Sequence, residues 1–175
     1  MHTPVLLIAL ATWSLVATGA AQDPMTPVSE AVRSAAARAA TNFIAAAEEM
    51  PAGRYGFKPT PAQMSFGDVI GHMGAGNDAL CSSIGGVAPP KRSAVAAGAP
   101  KEKLVARLRE TFQFCESALA KVNDSRLGEK VPYFGDREVS QAQVMVAAAE
   151  EWAGHYSQLA VYLRLNGLLP PTANR

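Results

Sequence analysis

From Ser140 to Gly167 the chain reads SQAQVMVAAAEEWAGHYSQLAVYLRLNG, with no proline inside it. Val144, Ala148, Glu151, His155, Leu159 and Tyr162 follow one another at three- or four-residue steps, so a helix would carry them on one face. Ser140 suits the N-cap, Gln143 completes a capping box, and Gly167 with Pro170 and Pro171 ends the run. A second amphipathic helix is expected from Ser65, with Asp68 in the capping-box place, to about Ile84. Phe66, Ile70, Met73 and Leu80 mark its buried side, with Val69, His72 and Gly76 beside them. Its three internal glycines each cost about 1 kcal/mol of helix propensity, and they permit close approach of neighbouring groups.

The same pattern predicts two more helices. An alanine-rich one runs from Thr26 to Met50, with Thr26 as N-cap and Pro27 at the first helical position. Another runs from Lys101 to about Val122, with Leu104, Leu108, Thr111, Phe112, Cys115 and Leu119 on one stripe. Pro51 to Met64 reads as a loop whose Tyr55 and Phe57 pack on the helices. Gly85 to Pro100 is a low-complexity linker, too long for a tight helix hairpin and suited to a crossover along a bundle. Asn123 to Val139 reads as a loop holding Tyr133 and Phe134. No strand and no internal repeat is expected. The fold class is all-α: a four-helix bundle with a long crossover between helices two and three.

Residues 1–21 break the pattern. Pro4 to Ala17 is an apolar run, and Gly19, Ala20 and Ala21 follow it. That is the form of a secretory signal peptide cleaved after Ala21; the alternative is an uncleaved anchor. The reading is a signal peptide at 1–21, a bundle domain at 22–175, and an exported protein, periplasmic or secreted. Export permits disulfides, and the chain has two cysteines, Cys81 and Cys115. A crossing linker makes helices two and three parallel and puts both cysteines near one end, where they can bridge. The alternative is two buried thiols.

Charge narrows the partners. A net charge of +1 with acids and bases interspersed gives no footprint for nucleic acid and no basic patch for a membrane surface once the signal is removed. A small-molecule substrate, not identified by the sequence, and a homodimer through helix faces both remain compatible.

Candidate chemistry sits on the apolar stripe of the last helix. Glu151 and His155 are one turn apart there, and a charged group on such a face needs a partner. His72 on helix two offers one. Two ligands at i and i+4 with a third from a facing helix can surround one divalent ion. Imidazole and carboxylate suit Zn, Ni or Fe, and three protein ligands leave positions open to water or substrate. On spacing alone, a solvated or supporting ion pair is the alternative. Glu150 lies about 100° round the helix and should point away. Ser82, Ser83 and Ser157 lack a nearby His–Asp arrangement for nucleophilic catalysis, so no catalytic residue is assigned. Trp152 and Tyr156 flank the trio as packing groups or substrate walls. Asn77 and Asp78 read as solvated or as supports of the ligands.

Three stretches carry a family resemblance. FKPTPAQMSFGDVIGHM (Phe57–Met73), CSSIGG (Cys81–Gly86) and HYSQLAVYLRLNGLLPP (His155–Pro171) resemble the DinB-like superfamily of four-helix bundles over roughly residues 26–171. The resemblance implies a divalent metal held by His72, His155 and the residue one turn before His155. That position is histidine in the family pattern and Glu151 here, which implies a His–Glu–His site. It also implies metal-dependent transfer of, or isomerisation assisted by, a small thiol, chemistry that is mostly cytoplasmic. Two functions follow as expectations: a metal-dependent transferase or hydrolase, or a degenerate bundle serving as a binding or structural module.

Overall fold

The computed structural model describes residues 26–96 and 98–174. The expected signal peptide lies outside the described residues. Four long helices form the body: α1 Pro27–Glu49, α2 Phe66–Gly85, α3 Lys101–Leu119 and α4 Gln141–Leu165. α2 and α4 start where their capping boxes, Ser65/Asp68 and Ser140/Gln143, predict. α4 ends in a Schellman motif, with Gly167 at φ 74° and the Leu168 and Gly167 amides bonded back to Leu163 and Arg164.

α3 packs between α1 and α2, and α4 packs on the other flank of both. α2 and α3 are parallel: Gly67 lies against Leu104, Gly74 against Arg107, and Gly85 against Ala118. The linker therefore crosses the bundle as expected, and Arg92 clamps it by bonding Asp78 and Glu110 at 2.9 Å each. The two cysteines meet in a disulfide, with Cα atoms 5.1 Å apart. α4 runs antiparallel to α2, since Gln141 bonds Ile84 at one end and Tyr162 bonds Met64 at the other.

Phe43, Leu108, Cys115, Val144 and Leu159 are wholly buried in one continuous core. Tyr55 is buried, and Phe57 stands edge-on to Tyr162 at 5.9 Å, so both loop aromatics pack as expected.

Two expectations need correction. The segment after α3 is not all loop. Lys130–Tyr133 (β1) and Arg137–Ser140 (β2) form an antiparallel hairpin in the register Val131↔Val139. Four-residue strands with Pro132 inside and charges outside give no alternation to detect. The hairpin docks on α2 through the Ser83 hydroxyl, which donates to the Pro132 carbonyl, and it delivers the chain into α4. Thr26 also caps nothing with its side chain. Asp124 does so instead, accepting from the Val28 and Ser29 amides at 2.9 Å each.

Candidate metal centre

His72 projects from α2, and Glu151 and His155 project from adjacent turns of α4. One ligand atom from each lies within 4.8 Å of the others. A single carboxylate oxygen, Glu151 Oε2, stands 3.0 Å from His155 Nε2 and 3.8 Å from His72 Nε2. The three expected residues therefore meet, but at the rim and not in the interior. The His72 side chain is 50% exposed and that of Glu151 43%, while His155 is 19% exposed. The core at this level is occupied by Trp152 and Asn77. A rim position keeps the carboxylate partly hydrated, which avoids the cost of burying its charge.

Hydrogen bonding fixes the chemistry of His155. The Met64 carbonyl can only accept, so the Tyr162 hydroxyl donates to it at 3.0 Å. The same hydroxyl accepts from the Gln158 amide at 2.9 Å. Gln158 Oε1 is thereby left facing His155 Nδ1 at 3.1 Å and accepts its proton. The other ring nitrogen, Nε2, is directed at Glu151 Oε2. A lone pair 3.0 Å from a carboxylate oxygen is repulsive unless something positive lies between them, either a proton or a metal cation. A backed imidazole, a second imidazole and a carboxylate make a donor set that fits a borderline divalent ion.

The other residues take simpler roles. Glu150 is exposed and points away, as expected. Trp152 is a packing group, with its indole N–H bonded to Asn77 Oδ1 at 2.8 Å. Tyr156 packs edge-on to Phe43 and donates to Thr172. Asp78 pairs with Arg92. Asn77, expected as a solvated or supporting group, is wholly buried. A cavity of about 220 Å³ beside His72, bounded by Asp68, Gly71, Val95 and Leu104, is smaller than the roughly 300 Å³ at which drug-sized pockets begin. Gln158 and the Tyr162 hydroxyl escaped the sequence reading. Their signal was present, since Gln158 follows His155 by three residues and Tyr162 follows by seven, all near one stripe.

Such an arrangement defines a class: helical bundles that build a metal-competent cluster from side chains on facing helices. The chain belongs to the DinB superfamily, whose sequence model matches residues 35–159, a span that includes all three site residues. Its fold is similar to that of a DinB-like protein from Bacillus cereus, with TM-score 0.69 and 15% identity over 82% of this chain and 96% of that one. A DinB-like protein from Bacillus subtilis is similar at TM-score 0.63 and 18% identity, covering 78% of this chain and 92% of that one. A conserved protein from Enterococcus faecalis follows at TM-score 0.61 and 16% identity, covering 79% and 95%. None of the curated proteins compared with the chain matches it.

Proposed function

We propose that this is an exported protein that holds one divalent metal on His72, Glu151 and His155 and uses it in a transferase or hydrolase reaction on a small substrate. The observation that carries the reading is the aimed pair: the Met64–Tyr162–Gln158 chain turns His155 Nε2 toward a carboxylate oxygen 3.0 Å away, leaving a place for a cation. When bound, a divalent ion there would supply Lewis acidity to a water or a small thiol. Gln158 holds the Nδ1 proton and keeps the ring from turning. Glu151 supplies the negative charge, and its exposure with that of His72 leaves the cluster open to solvent. Cleavage after Ala21 would place the domain outside the cytoplasm, where the disulfide is stable.

Elemental analysis of protein purified without added metal tests the reading. About one ion per chain is expected. His72→Ala and Glu151→Ala should lose it, and Glu151→His should keep it. A metal-free wild type that takes up no Zn, Ni or Fe on reconstitution would leave a hydrogen-bonded histidine–carboxylate cluster and a non-catalytic binding or structural module.

A further inference from the structure

We propose that Asn77 is a positioning residue for the cluster: its buried carboxamide latches α4 onto α2 and α3 in the register that brings His72 to Glu151 and His155. This rests on the metal reading only for its functional consequence, because the register belongs to the metal-free chain.

Asn77 lies five residues beyond His72 on α2 and is wholly buried. A buried amide left unpaired is costly, so its partners are specified. Its Oδ1 accepts from the indole N–H of Trp152 at 2.8 Å, and Trp152 is the residue after Glu151. Its Nδ2 donates to Thr111 Oγ1 on α3 at 3.3 Å, and the Thr111 hydroxyl donates onward to the Leu108 carbonyl at 3.0 Å. An indole nitrogen can only donate, so the orientation of the amide is fixed. One amide thus joins three helices.

The helices differ in what else holds them. α2 and α3 are already joined by the Cys81–Cys115 disulfide, one turn beyond Asn77. α4 is tied to the α2 side near its ends by the bonds of Gln141 to Ile84 and Tyr162 to Met64. Between those ends, at the level of the cluster, the Asn77–Trp152 bond supplies the direction that apolar contact lacks. Direction matters because helices slip in coarse steps. One residue of register moves a side chain 1.5 Å along the axis and 100° around it, whereas metal–ligand distances tolerate about 0.2 Å.

The test is the double variant Asn77→Leu/Trp152→Phe. It replaces both partners with apolar groups and leaves no orphaned polar atom, since Thr111 keeps its bond to Leu108; stability should then fall only by the cavity that the smaller phenyl ring leaves. Two readouts are taken. In metal-free wild type, an NMR cross-relaxation peak between the His72 and His155 rings is expected from their 4.8 Å centroid separation, and the variant should lose it. In protein loaded with cobalt(II), the variant should show an altered visible spectrum and an affinity 10- to 100-fold lower. Phe43→Leu, which loosens the core between α1, α3 and α4, is the control and should leave the ring contact intact.

An unchanged ring contact in the double variant, or its equal loss in Phe43→Leu, would overturn the proposal and leave Asn77 as an ordinary satisfied core amide. If the double variant does not fold, Trp152→Phe alone is read in the same two ways. A wild type that shows the ring contact but binds no cobalt refutes the metal reading, and the latch is then decided by the ring contact alone.

Discussion

Reducing the disulfide should cost this protein a large share of its stability while leaving its native contacts in place. Cys81 and Cys115 are 34 residues apart and both are wholly buried. In the chain-entropy model a cross-link closing that loop removes about 13 cal/mol/K from the unfolded ensemble, or about 4 kcal/mol at 25 °C. A domain of this size has a urea slope of about 2 kcal/mol/M, so the midpoint should fall by about 2 M. The assay is urea unfolding of the oxidised protein, the same protein in reductant, and Cys81→Ala/Cys115→Ala. Reduced wild type keeps its sulfur atoms and reports the loop term alone. The alanine pair adds the cavity left by two buried side chains and should unfold at a still lower concentration. Coincident curves for oxidised and reduced wild type would refute the reasoning, by showing either no cross-link or an unfolded state that keeps α2 beside α3.

Two further outcomes follow from single positions. Gly85→Ala should destabilise by about 1–3 kcal/mol in chemical denaturation, because its Cβ would lie 2.7 Å from the Ala118 carbonyl oxygen, a backbone atom that cannot swing aside; a raised midpoint would show that helix propensity outweighs the clash. Desolvation acts to raise the pKa of Asp124, but the bonds from the Ser29 hydroxyl and the Val28 and Ser29 amides, with the Arg33 cation, outweigh it and hold the carboxyl below the ordinary 3.8. A depressed folded pKa contributes stability that is present above 3.8 and lost as pH falls through the folded value. Asp124→Asn should therefore flatten the acid limb of stability as pH falls through and below 3.8, and an unchanged limb would remove Asp124 as its source.

Periodicity, capping and linker length are local or nearly local properties. They sufficed for the four helices, the two capping boxes, the Gly167 stop and the parallel course of α2 and α3, and they allowed the cysteines to meet without deciding between a bridge and two buried thiols. They also put Glu151 and His155 on one face, because residues one turn apart on a helix share a face whatever packs against it; the meeting with His72, on another helix, was an expectation that the family resemblance strengthened and the packing of α2 on α4 decided. Tertiary structure alone decided the rest. Both ends of α1 are satisfied from afar: Asp124 caps its first turn, and Lys101 bonds the Glu48 and Met50 carbonyls at its last. Nothing in the α1 sequence announces either. The hairpin is a ladder between two segments with little strand character of their own, docked on α2 through Ser83. The cluster lies at the rim, and Asn77 in the core, because burial depends on how each helix is rotated against its neighbours. Periodicity gives a helix its apolar face, but the depth of a polar residue near the edge of that face depends on which partners its hydrogen bonds can reach.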